Sequence, residues 1–164
     1  MILNRIIGID IGLRNTGYGI IDFSQNNEEI VEGGVIKTDS KESLDERLLT
    51  IFKDLDSVYK KYKPDFTSME DLHSRYRNLK TAIIMGHARG VACAVSALNE
   101  TPVYHYQPTQ IKNIVTGSGR ADKNQMIKTI SNRLSSPSIT NEHIADAFAS
   151  SICHWVMSSS NKNV

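Results

Sequence analysis

Residues 5–20 read RIIGIDIGLRNTGYGI: one carboxylate, Asp10, stands inside an apolar run and is followed by a turn rich in glycine and threonine. The isoleucines before it carry β propensity, GLRN has the composition of a turn, and an apolar segment then resumes. The stretch therefore predicts two strands, 5–11 and 16–23, joined as an antiparallel hairpin. A lone acid at a strand end is ordinarily a hydrogen-bonded turn residue. Asp10 escapes that reading only if other acids converge on it.

A third strand at about 29–38 follows the turn-forming SQNNE. In SLDERLLTIFKDLDSVYKKYKP, Ser43 and Glu46 have capping-box spacing and Leu44, Leu48, Ile51, Leu55, Val58 and Tyr62 recur at helical intervals, ending at Pro64. DFTSMEDL predicts a fourth strand and NLKTAIIMGHARGVACAVSALNE a helix. The small residues Gly86, Ala88, Gly90, Ala92 and Ala94 of that helix would admit close approach by its own sheet or by a partner. PVYHYQ predicts a fifth strand; PTQIKNIV, the loop TGSGRAD, a helix near 122–134, the turn SSPS and the helix NEHIADAFASSICHWV complete the chain. This order predicts an α/β layered domain: a five-stranded mixed sheet with helices on both faces.

The length of 164 residues suits one domain, expected over 1–158 with a disordered polar tail at 159–164. The net charge of +1 hides a strong asymmetry. Residues 73–133 hold nine basic and two acidic side chains, a concentration able to serve as a footprint for phosphate. Cys93 and Cys153 form no paired-cysteine motif, which excludes a cysteine zinc site or a disulfide framework as the organising feature. An acid and a glycine interrupt the N-terminal segment where a signal peptide would continue, so a soluble, cytoplasmic protein with no membrane partner is expected.

Two further acids change the reading of Asp10. Glu70 ends the fourth predicted strand, and Asp146 lies in the last helix beside the apolar stripe of Ile144, Phe148 and Ile152. His143 and Glu142, three and four residues before Asp146, are able to share its helical face. Converging carboxylates raise one another's pKa unless a cation neutralises them. Hard oxygen donors select magnesium or manganese, and a pair of such ions serves phosphodiester hydrolysis by stabilising attacking and leaving oxygens. The basic segment would then hold the phosphate backbone beside the metals.

These residues together resemble the RuvC-type Holliday junction resolvases, bacterial endonucleases with an RNase H-like fold. GIDIGLRNTGYGII is similar to the family's first-strand motif, SMEDL to its second acidic strand and GHARGVA to its central helix. VYHYQPTQIKNIVTGSGRADKNQM resembles its basic region and HIADAFASSICH its C-terminal helix. The resemblance implies a homodimer that binds a four-way DNA junction and cuts two strands symmetrically during recombination and repair, with a branch-migration complex as an associated partner. It carries metal-ligand roles to Asp10, Glu70, His143 and Asp146, with two Mg²⁺ ions expected and Mn²⁺ as an alternative. Lys112 and Lys123 fall on basic catalytic positions near the scissile phosphate. His73, Arg75, Tyr76, Arg77, Lys80 and Arg120 are the expected DNA contacts. Three departures stand out: Asp-Ile-Gly replaces Asp-Pro-Gly, His73 occupies the place of a junction-wedging aromatic, and His143 favours manganese more than an aspartate would.

An acid followed by a Gly/Thr-rich turn also opens actin-like ATPases and sugar kinases. Those proteins need two such lobes and a second phosphate loop, which 164 residues leave no room for; a large thermal shift with ATP and metal would favour them. A non-catalytic DNA-binding derivative of the fold would lack some of the four proposed ligands, all of which are present here.

Overall fold

The computed structural model describes residues 4–71 and 78–160. Its elements are β1 (Asn4–Asp10), β2 (Asn15–Ser24), β3 (Asn27–Lys37), α1 (Leu44–Tyr62), β4 (Phe66–Glu70), α2 (Leu79–Leu98), β5 (Val103–Tyr106), α3 (Pro108–Thr116), α4 (Lys123–Arg133) and α5 (Glu142–Ser160). The sheet order is β3-β2-β1-β4-β5. β1, β2 and β3 pair antiparallel, whereas β4 pairs parallel with both β1 and β5. This is the five-stranded mixed sheet expected of the sequence.

Side chains alternate between the two faces of a strand, and that alternation distributes β1 between two cores. Ile7 and Ile9 pack with Ile51 and Leu55 of α1 and Ala88, Ala92 and Val95 of α2. Ile6 packs on the other face with Ile111 of α3, Ile130 of α4 and Phe148 and Ile152 of α5. Asp10 has the parity of Ile6 and so belongs to the face covered by α3, α4 and α5. On β4 the same rule places Met69 with α1 and α2, and Ser68 with α5, where its hydroxyl donates to Ser150 O at 2.7 Å. Glu70, two residues on, shares the face of Ser68.

Glycines in the first hairpin have a role that the turn reading missed. A Cβ at Gly8 would lie 1.8 Å from Ala147 O, and one at Gly17 would lie 2.2 Å from His143 O. Bare backbone at these positions lets α5 lie directly on β1 and β2, touching them through His143, Ala147 and Ser151, the last two fully buried. The Ser151 hydroxyl, which would otherwise be an unpaired polar group in the core, donates to Gly19 O at 3.0 Å.

On the opposite face, α1 begins with the expected capping box of Ser43 and Glu46 and ends at Lys63 in the left-handed region. The buried Tyr59 hydroxyl joins Thr67 of β4 at 2.6 Å and Ser96 of α2 at 2.7 Å, tying three elements together. The small residues of α2 divide between two environments. Ala88 and Ala92 are buried against the sheet, whereas Gly86 and Gly90 face open space. By length and hydropathy α2 is apolar enough to cross a membrane; in this structure it forms one layer of the α/β fold.

Two segments end differently from expectation. PTQIKNIV is a full helix, α3, started by Pro108 at its first turn and closed by Gly117 at φ 76°. Helix α5 continues to Ser160, with the hydroxyls of Ser158 and Ser159 bonded to Trp155 O, so residues 159 and 160 of the expected tail are helical. Residues 161–164 lie outside the described residues.

Candidate active site

Asp10 and Glu70 end neighbouring parallel strands. Ile9 pairs with Met69, the last rung between β1 and β4, and the two acids follow immediately on the same face. Helix α5 supplies Asp146 across them. Asp10, Glu70 and Asp146 line one cleft of about 340 Å³ with Lys112 of α3, Gly119 of the α3–α4 loop and Lys123 of α4. The three acids expected to converge, and both expected lysines, are therefore brought to one place.

His143 enters from the first turn of α5. Asn141 positions that turn: its side-chain oxygen accepts the backbone N–H of His143 at 2.9 Å and of Ile144 at 3.3 Å. The imidazole Nδ1 is 2.7 Å from Asp10 Oδ2, while Nε2 lies 3.4 Å from Asn15 Nδ2. With Nδ1 as the donor to the carboxylate, Asp10 and His143 form a preassembled pair.

The acids are electrostatically frustrated. Burial pushes the Asp10 carboxyl above its usual range, although the hydrogen bond from His143 opposes the shift. Burial first, and then the charges of Asp10 and Asp146, push Glu70 up to about 7; the charge of Lys112 only partly offsets this. Glu70 is exposed as a residue and lines the open cleft with the other acids. Asp146 is pushed up to about 6, by burial and then by Asp10 and Glu142. The positive charges of Lys112 and Lys123 therefore compensate this group of acids only in part.

A divalent cation fits that deficit, because the donors are hard carboxylate oxygens with one imidazole. Among the described residues no three acidic, histidine or cysteine side chains yet stand close enough to enclose an ion. Asp10, Glu70, Asp146 and His143 are the cleft and cleft-edge side chains whose donor chemistry suits such an ion. Glu142 is engaged elsewhere: its Oε2 is 2.5 Å from Lys123 Nζ, which lowers the Glu142 pKa and raises that of Lys123.

The other expected DNA contacts distribute less uniformly. Arg120 is exposed in the α3–α4 loop beside the cleft-lining Gly119. Lys80 lies in the first turn of α2, in an apolar groove with Leu13, Arg47 and Ile83, rather than in the cleft. His73, Arg75, Tyr76 and Arg77 lie outside the described residues. The sequence reading missed Asn15 and Asn141, which act on His143 from 128 residues away and two residues away respectively. Asn141 had a signal, a helix-capping residue before the acidic turn; Asn15 had none that a linear pattern could carry.

The sequence profile of the family described as "Crossover junction endodeoxyribonuclease RuvC" matches residues 6–154. The chain is 42% identical over 152 residues to the crossover junction endodeoxyribonuclease RuvC of Alkaliphilus oremlandii, covering 91% of each chain. It is 41% identical over 149 residues to that of Rhodopirellula baltica, covering 90% of this chain and 84% of the relative. Among solved structures, T. thermophilus RuvC in complex with a Holliday junction substrate superposes with a TM-score of 0.90 at 26% identity, covering 96% of each chain.

Proposed function

The chain belongs to the RuvC family of crossover junction endodeoxyribonucleases, and from that membership we infer that it is a divalent-metal-dependent nuclease that resolves four-way DNA junctions in recombination and repair. One observation carries the assignment of its chemistry: acids from β1, β4 and α5 face a single cleft that two lysines also line.

Asp10, Glu70, Asp146 and His143 are the proposed metal ligands, with Asp10 central because it stands between Glu70 and the α5 pair. Two Mg²⁺ ions are the proposed complement, Mn²⁺ serving as well through the imidazole donor. When bound, such ions supply an activated water and neutralise charge on the departing 3′ oxygen. His143 orients the Asp10 carboxylate through its 2.7 Å contact. Lys112 and Lys123 stabilise negative charge that grows on the phosphate in the transition state. In the free protein Lys123 is held by Glu142, at 2.5 Å; an incoming phosphate competes for the same ammonium. Gly117 and Gly119 flank a loop suited to closing over DNA, and Arg120 there, with Lys80 and the residues at 73–77, provides backbone contacts.

A homodimer is proposed, joined through the outward face of α2. Leu79 and Ile83 are 74% and 52% exposed there, and Gly86 and Gly90 leave room for a second backbone. Two sites in one dimer allow paired cuts in two strands. Action on chromosomal DNA places the protein in the bacterial cytoplasm, where a branch-migration complex is a natural partner.

The deciding experiment compares a synthetic four-way junction with a linear duplex of the same sequence, using the wild type and Asp10→Asn. Metal-dependent cutting of the junction by the wild type is expected, while Asp10→Asn binds it without cutting. Normal cleavage by that variant would sink the metal-ligand reading.

A further inference from the structure

Glu70 is the one cleft acid that its own strand does not hold firmly. β4 has only five residues, and its pairing with β1 stops at Met69. Glu70 stands one residue past that rung and, among the described residues, pairs with β5 alone, through Tyr106. Asp71 follows at the edge of the segment that leads to the expected junction contacts at 73–77.

A cation from the opposite layer meets this end. Arg89, on the inner side of α2, has a side chain only 13% exposed. Its Nη1 donates to the backbone oxygen of Glu70. Its Nη2 donates to Asp71 Oδ1 at 3.0 Å and lies 2.6 Å from His105 Nδ1 on β5. Gln107 holds the other oxygen of Asp71 at 3.1 Å. The planar guanidinium thus bridges β4, β5 and α2 at once, a geometry a single ammonium does not reproduce. With these donors engaged and the side chain nearly buried, Arg89 is poorly disposed to serve as a phosphate contact.

We propose that Arg89 is a positioning residue for the reaction: by clamping the Glu70 carbonyl, Asp71 and His105 together, it fixes the end of β4 and so holds the Glu70 carboxylate in register with Asp10. The inference rests on the reading of Glu70 as a metal ligand. It also gives α2 a second use, since Arg89 neighbours Gly90 and the outward face proposed for the dimer. Partners that orient a metal ligand typically matter 10- to 100-fold in metal affinity or activity.

The test measures Mn²⁺ binding to the DNA-free protein by calorimetry, alongside junction affinity in Ca²⁺ and cleavage rate over a Mn²⁺ titration. Arg89→Met is expected to weaken Mn²⁺ binding and raise the metal concentration for half-maximal cleavage by about 10-fold or more, while junction affinity stays within about 2-fold. Arg89→Lys recovers part of the loss. Combining Arg89→Met with Glu70→Gln should cost Mn²⁺ affinity no more than Glu70→Gln alone, because both act through one carboxylate. If Arg89→Met fails to fold, Arg89→Lys and Arg89→Gln are measured in its place. Mn²⁺ affinity unchanged in the Arg89 variants, or junction affinity lost with metal binding intact, overturns the proposal. Glu70→Gln binding Mn²⁺ as the wild type does would instead refute the reading of Glu70 on which it rests.

Discussion

At the scale of single residues, His143 decides the chemical character of the site. With its Nδ1 hydrogen-bonded to Asp10 Oδ2 at 2.7 Å, its Nε2 would be the one nitrogen ligand in the proposed, otherwise oxygen-donor set. Imidazole suits manganese better than magnesium. His143→Asp should therefore raise the cleavage rate in Mg²⁺ relative to that in Mn²⁺, and His143→Ala should lower both by at least about tenfold, the loss seen on removing even an outer partner of a ligand. Parallel titrations with the two ions check this; an unchanged ratio in His143→Asp counts against the histidine as a ligand. Lys112 has a different expected signature. It faces Glu70 electrostatically but is placed to act on charge that grows in the transition state, so Lys112→Ala should reduce kcat far more than junction affinity.

At the scale of elements, the decisive contact is that of α5 with the first hairpin. Gly8→Ala would drive a Cβ to 1.8 Å from Ala147 O, against backbone that no rotamer change relieves. Overpacking of this kind costs about 1–3 kcal/mol, and a shift of α5 by about 1 Å would also carry Asp146 and His143 out of position, a displacement able to cost about 10²-fold in rate. A lowered Tm with disproportionate loss of cleavage is expected; wild-type Tm and activity would show that the glycine is incidental. This contact marks the boundary of what the sequence discloses. The alternation of Ile6, Ile7 and Ile9, the Ser43–Glu46 capping box and the helical spacing of the last segment are local patterns, and they disclose most of the elements and the acids Asp10, Glu70 and Asp146, whereas the ligand role of His143 comes with the family resemblance. The glycines of β1 and β2 go unexplained in the sequence because their true constraint, a helix about 130 residues later, is not local. Arg89 escaped notice for the same reason: its partners Glu70, Asp71 and His105 are 16–19 residues distant, at no helical or strand period. PTQIKNIV carries no element assignment in the sequence because a nine-residue helix offers little periodicity to read.

At the scale of the whole molecule, two properties belong to no single element: the proposed dimer and the cost of the acid cluster. The outward face of α2 is tested through Ile83→Glu: the side chain is 52% exposed in one chain, so folding should be little affected, whereas a charge on a dimer face should shift sedimentation toward monomer and uncouple the paired cuts. A persisting dimer would move the interface elsewhere. The second property is the collective cost of the acid cluster. In the metal-free fold Asp10, Glu70 and Asp146 all titrate above their ordinary values, Glu70 at about 7 and Asp146 at about 6. The unfolded chain releases those protons first, so the native state binds more protons over the window from roughly pH 4 to 7, and stability falls as pH rises through it. His154 opposes the trend in the lower part of that window: burial holds it down to about 4, so its protonation favours unfolding as pH falls. A bare pH–stability curve therefore mixes the two effects. The increment in Tm caused by Mg²⁺ separates them, because the ion binds ionised carboxylates and relieves their repulsion but has no interaction with His154. That increment should be small at pH 5 and clearly larger at pH 8, and Asp10→Asn should remove most of it. An increment equal at both pH values, or one that survives Asp10→Asn, would mean that the ion stabilises the protein somewhere other than this cleft.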